Sequence, residues 1–236
     1  MTTFWISMHW LVIIFLSIML WHEKSRLWQR FSYRRWQLRW HVRNHHQVFN
    51  HLFNTVDGFA LSRRHRPSND ITYLYGEIEF EPFIALLSLT HPHKDTIFYD
   101  LGSGVGKAVF AAAMVFGVKR AVGVEILPAL HQSACQQKER LKQLATYQAC
   151  ANTLEFHQTD LRYFPVFDAT LIFISSTAFF NETWQQISHH LETLPKNAYV
   201  ISLSKPLDSK QFTLIRQTAV CMSWGWAEAF IQQKVA

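Results

Sequence analysis

The stretch Asp100-Leu-Gly-Ser-Gly-Val-Gly106 constrains this chain more than any other. It follows TIFYDL (96–101), an apolar run of the length and composition of a buried strand, and it precedes KAVFAAAMVF (107–116), which has the pattern of a helix. Three alternate glycines at a strand-to-helix junction let the backbone turn tightly and approach a ligand, while the next helix presents its unpaired N–H groups. Such a turn needs a parallel sheet behind it, and the downstream sequence supplies one. AVGVEI (121–126), TLEFHQ (153–158), ATLIFI (169–174) and AYVISL (198–203) read as further strands, with helices expected from Pro128 to about Tyr147 and near 180–192. FTLIRQTAV and AEAFIQQK close the chain as an antiparallel pair. The expected fold is α/β: a doubly wound, mainly parallel, seven-stranded Rossmann-like sheet.

The chemistry of the turn narrows the ligand. Dinucleotide sites use G-x-G-x-x-G and place a pyrophosphate on the helix amides. Here the spacing is G-x-G-x-G, with the carboxylate of Asp100 two residues before Gly102. S-adenosylmethionine (SAM) carries a sulfonium cation and an amino-acid tail and no phosphate, so an acid at the strand end suits it. Glu125 closes the second strand, where its carboxylate can accept both ribose hydroxyls, and Asp160 follows the third, within reach of the adenine amine. Three acids in order at three successive strand ends point to SAM.

The sequence then resembles the Dot-type (disruptor of telomeric silencing) histone-lysine methyltransferases over about residues 70–234. Tyr75-Gly76-Glu77 is similar to that family's first cofactor-covering loop, FYDLGSGVG (98–106) to its first motif, VISLSKP (200–206) to its fifth-strand segment, and Ser223-Trp224 with Phe230 to its last hairpin. The resemblance implies a class I SAM-dependent methyltransferase acting on a protein lysine. It places Tyr75, Glu77, Asp100, Gly102, Gly104, Glu125 and Asp160 around SAM, with Ser103, Gly106 and Lys107 completing the turn, and Phe230 at the wall of a lysine channel. Trp224 and Phe179 are further candidates for that wall. Ser175 and Ser176 stand where the family has an Asn pair and are expected to meet the cofactor or the incoming amine; Lys107 stands where it has Gln. No N/D-P-P-Y tetrapeptide follows the fourth strand, which counts against an adenine or glutamine acceptor. A lipid or small-molecule acceptor, or a non-catalytic SAM-binding module, are the alternative readings.

Outside the catalytic body, Phe4 to Trp21 is an apolar run that would cover about 27 Å as a helix, the thickness of a bilayer core. Lys24, Arg26, Arg30, Arg34, Arg35, Arg39 and Arg43, against the single Glu23, follow it and account for the net charge of +6, leaving the rest balanced. The expected organisation is a transmembrane anchor at 1–22, a basic aromatic juxtamembrane segment at 23–69 that contacts membrane lipids, and a methyltransferase domain at 70–236. All the flanking basic groups lie C-terminal to the apolar run, so a single-pass protein with its catalytic domain in the cytoplasm is expected. The basic stretch beside an anchor favours lipid over nucleic acid as its contact. Cys135, Cys150 and Cys221 have no metal-ligand spacing and read as buried thiols.

Overall fold

The computed structural model describes residues 30–65 and 75–236. The chain divides into two compact units, one up to Arg43 and the other Asn44–Ala236. In the first, a helix over 30–39 (α1) stacks Tyr33 on Trp36, with ring centroids 5.8 Å apart. The second unit begins well upstream of the boundary at residue 70 that the sequence suggests. It includes most of α2 (Val42–Phe53) and all of α3 (Gly58–His65).

The order then runs α4 (Phe80–Ser88), β1 (Ile97–Leu101), α5 (Lys107–Phe116), β2 (Arg120–Glu125), α6 (Pro128–Lys142), α7 (Gln148–Asn152) and β3 (Leu154–Gln158). It continues with β4 (Leu171–Ser175), α8 (Asn181–His190), β5 (Tyr199–Leu203), β6 (Phe212–Met222) and β7 (Gly225–Lys234). The seven strands form one sheet in the order β3-β2-β1-β4-β5-β7-β6. The first five pair in parallel, and β7 runs antiparallel between β5 and β6.

Both faces of the central strands are covered, which is why they read as near-continuous apolar runs. Along β1 the faces alternate. Phe98 meets Phe83 of α4, while Tyr99 and Leu101 join a core with Trp184, Ile187 and Leu191 from around α8. Helix α5 is buried from Ala108 to Phe116, and its three consecutive alanines add little bulk there. The expected helix from Pro128 stops at Lys142, and a short 3-10 turn and α7 fill the distance to β3. Tyr147, in that turn, is held by tertiary contact: its hydroxyl lies 2.8 Å from His45 Nδ1.

The expectation of a transmembrane helix is corrected. Among the described residues no helix is long and apolar enough to cross a membrane. The segment 4–21 lies outside them. Even α6, at 15 residues, would reach only about 22 Å and carries Lys138, Glu139, Arg140 and Lys142. The single-pass membrane location and the lipid partners are likewise not supported by the described residues.

Candidate functional site

The strand order reverses between β1 and β4, which both start from the middle of the sheet, so a crevice opens beyond the carboxyl ends of the strands. The glycine turn forms its floor. Gly102 and Ser103 both donate their N–H to the Val124 carbonyl, at 2.8 and 3.0 Å, which fastens the turn to β2. Gly104 (φ +55°) and Gly106 (φ +88°) occupy left-handed backbone, where glycine has no steric penalty. Both are crowded as well. A Cβ at Gly104 would lie 2.5 Å from the Tyr75 ring, and one at Gly106 would lie 2.8 Å from Phe156.

Tyr75 therefore lies directly over the turn. Its hydroxyl donates to Glu77 Oε1 at 2.6 Å, and Lys107 Nζ meets Glu77 Oε2 at 2.5 Å. This links the 75–77 segment to the first residue of α5. Burial, then the Glu77 carboxylate, holds the Tyr75 hydroxyl well above its ordinary pKa. The same segment is tied to the terminal hairpin: Ser223 N–H donates to the Glu77 carbonyl at 2.8 Å, and Trp224 lies against Gly76.

Glu125 accepts from the Gly104 N–H and the Leu127 N–H, both at 2.8 Å, so its carboxylate bridges the turns after β1 and β2. Burial raises its pKa, and those backbone donors oppose the rise. Asp100 is 4% exposed beneath it; burial, then the Glu125 charge, pushes its pKa up to about 8. Asp160 sits in a fork made by Arg162, whose Nε is 3.0 Å from both carboxylate oxygens. Burial would raise the Asp160 pKa, but the hydrogen bonds and charge of Arg162 outweigh it and hold the group below its usual value.

A cavity of about 810 Å³ occupies the crevice. Of the residues singled out from sequence, Tyr75, Gly102, Glu125, Asp160, Ser175, Phe179 and Trp224 line it. Asp100, Ser103, Gly104, Gly106, Glu77 and Lys107 do not; they build the floor and its cover from behind. Two of the expected catalytic residues are placed elsewhere. Ser176 is fully buried, and its hydroxyl donates to the Leu203 carbonyl. Phe230 is 7% exposed within β7, opposite Ser202 of β5, and does not line the cavity.

Other lining residues carry no mark in the sequence. Phe59, Ser62 and Arg63 come from one face of α3. Ile126, Leu127, Thr159, Leu161 and Arg162 immediately follow β2 and β3, and their place after parallel strand ends could have found them. Phe180, just before α8, and Thr183, at its start, join the lining.

The site suits SAM on its own geometry. The cavity is of the size that small-molecule sites take. The carboxylates of Glu125, ending β2, and Asp160, beyond β3, line the cavity and could accept from vicinal hydroxyls and an amine, and the buried Asp100–Glu125 pair favours a cation.

The family model described as "Histone methylation protein DOT1" matches residues 65–222. The chain is 26% identical over 147 residues to the H3 lysine-79 specific histone-lysine N-methyltransferase from two strains of Cryptococcus neoformans var. neoformans serotype D. That alignment covers 59% of this chain but 22% of the relative, so the chain spans about a fifth of the length of the curated relatives it matches. Among solved structures, an RNA methyltransferase from Salinibacter ruber bound to S-adenosyl-L-homocysteine superposes with a TM-score of 0.51 at 24% identity, covering 65% of this chain and 90% of that one. TrmN from Thermus thermophilus gives a TM-score of 0.55 at 16% identity, covering 70% of this chain and 52% of that one. These two show the fold. The sheet, the cavity and the family match together establish that the chain belongs to the DOT1 family of histone methylation proteins, SAM-dependent methyltransferases of the class I fold with SAM as their cofactor.

Proposed function

We propose that this chain transfers the methyl group of SAM to the ε-amine of a protein lysine. The carrying observation is the make-up of the cavity lining, which combines the carboxylates of Glu125 and Asp160 and the glycine turn with the rings of Phe179, Phe180 and Trp224. The name of the fungal relative makes histone H3 the first acceptor to test.

Bound SAM supplies a sulfonium-activated methyl group; the remaining work falls to this chain's residues. Glu125 and Asp160 hold the nucleoside end, each already fixed by hydrogen bonds before a ligand arrives. Asp100 lies beneath the turn, where a bound cation would draw it into its ionised form, and Tyr75 would cover the cofactor from above. At the other end the reaction needs a neutral amine, although lysine has a reference pKa of about 10.4. An apolar, water-poor channel lowers that value by desolvation, and a nearby sulfonium lowers it further by like-charge repulsion. Phe179, Phe180 and Trp224, the last two about half exposed, supply the apolar surface on which an incoming amine would be desolvated. Ser175, at the end of β4, offers a hydroxyl to align the incoming nitrogen. Alignment and exclusion of water supply the rate, with no dedicated base.

The test is transfer of radiolabel from methyl-labelled SAM by the full chain to core histones and to separated cell extracts, with the labelled residues mapped by mass spectrometry. Label on lysine is expected. Label that partitions into organic solvent and spares protein would overturn the protein acceptor in favour of a lipid or small molecule.

A further inference from the structure

The Ser204-Lys205-Pro206 turn after β5 lies outside the cavity lining, yet its contacts converge on the loop that supplies one wall of the cavity. That loop, 175–180, contributes Ser175, Thr177, Ala178, Phe179 and Phe180 to the lining. Consecutive links join it to the chain leaving β5. Ser176 donates its hydroxyl to the Leu203 carbonyl. Thr177 Oγ1 lies 2.8 Å from Ser204 Oγ. The Lys205 ammonium donates to the Phe179 carbonyl.

The last link has the most specific surroundings. Lys205 Nζ stands 4.6 Å from the centroid of the Phe180 ring and 5.9 Å from that of Trp184. A cation over an aromatic face is attracted by the ring quadrupole. Trp184 is itself tied to the turn, its indole N–H donating to the Pro206 carbonyl at 2.9 Å. Inside the turn, Ser202 donates its hydroxyl to the Lys205 carbonyl at 2.8 Å and fixes the base of the lysine. One ammonium thus holds a main-chain carbonyl and packs on the neighbouring side chain of the same wall.

We propose that Lys205 is a positioning residue for the acceptor: its ammonium pins the 176–180 loop so that Phe179 and Phe180 stand as a fixed wall of the cavity. The inference rests on the protein-lysine reading for its kinetic consequence but not for the pin itself. It also assigns Ser176 a role, as the first of the links and not as a group that meets substrate. Burial lowers the Lys205 pKa, in keeping with an ammonium held among rings, but the carbonyl and the aromatic faces reward its charged form.

The test compares the full-length wild type with Lys205→Met and Lys205→Arg. Methionine keeps the stem and removes the charge; arginine keeps the charge and the donors. In Lys205→Met, amide hydrogen exchange over 176–181 is expected to accelerate about 10-fold, while amides of the 97–116 strand and helix and SAM affinity stay within about twofold. With core histones as acceptor, KM is expected to rise about 10-fold with a smaller change in kcat, and Lys205→Arg to recover most of the loss. Unchanged exchange and KM in Lys205→Met would overturn the proposal. So would a loss of SAM binding equal to the loss of transfer, since the turn would then support the whole domain. Should Lys205→Met fail to fold, the Thr177→Val/Ser204→Ala pair breaks the adjoining link with small polar-to-apolar changes. Faster exchange confined to 176–181 supports the stitched loop, and unaltered exchange counts against it. If the wild type labels no protein, the lysine acceptor fails and the exchange result still decides the pin.

Discussion

The two ends of the cavity are built from different material. The cofactor end is main chain: three glycines, the N–H groups of Gly104 and Leu127, and carboxylates at strand termini whose registers the sheet dictates. The part proposed for the acceptor is side chain: Phe179, Phe180 and Trp224 project from loops, and Phe180 and Trp224 are about half exposed. Backbone in a parallel sheet has few alternatives, because each strand end is placed by its neighbours' hydrogen bonds. Rings on loops have many, and they need fastening by distant residues such as Lys205. A domain organised in this way keeps its cofactor while its acceptor changes, which suits a fold that hosts many acceptors.

Substitutions that strike one end and spare the other test that division. The largest effect is expected from Glu125→Ala, which removes the carboxylate bridging the two turns and leaves two buried N–H groups unpaired. SAM affinity by titration calorimetry should fall about 100-fold or more, in line with losing two charge-assisted hydrogen bonds. A change within threefold would break the claim that this end is preorganised. Next, Phe179→Ala combined with Trp224→Ala should lower methyl transfer about 30-fold while SAM binding moves less than about twofold; comparable losses in both would mean that the ends are not separable.

A pH-dependent effect belongs to Asp100. It keeps its proton in the folded chain up to about pH 8, against 3.8 as a free side chain, so the folded state binds more protons across that window. The stability of the unliganded protein therefore loses this group's share as pH rises through it. A cationic cofactor favours the ionised form, so SAM binding should release a proton and tighten by up to about 50-fold between pH 6 and 8. Asp100→Asn should flatten that profile, and an equally steep profile in the variant would point to another group. The smallest change is expected for Lys107→Gln. Its ion pair with Glu77 is only partly buried, so SAM affinity should weaken about three- to fivefold, less at high salt. Salt-independent loss would mean that the pair acts by packing alone.

Much of the cofactor end was legible because its signals are local. The Gly102, Gly104 and Gly106 spacing, Pro128 opening α6, and Glu125 closing β2 each follow from what a few neighbouring residues must do. Asp160 was legible as a strand-end acid, but its clasp by Arg162 two residues on was not read. Ser175 and Ser176 look alike in sequence; the end of β4 falls between them, so one lines the cavity and the other turns to β5. Phe230 was chosen by its place in a motif, but burial within the sheet takes it out of the lining, whereas Phe179 and Trp224 remain. The apolar run at 4–21 has the length of a span but lies outside the described residues, among which no helix is long and apolar enough to cross a membrane.

The sequence by itself determined the α/β alternation, the turn after β1 and the kind of ligand it takes, because backbone geometry and strand-end charge are written in consecutive residues. Only the tertiary structure decided that α3 lines the cavity, that Tyr75 rests on Gly104, and that Lys205 holds the Phe179 loop. The Lys205–Phe179 and Tyr75–Gly104 contacts join residues 26 and 29 positions apart. No local pattern specifies them, because they depend on how the sheet twists and where each helix returns.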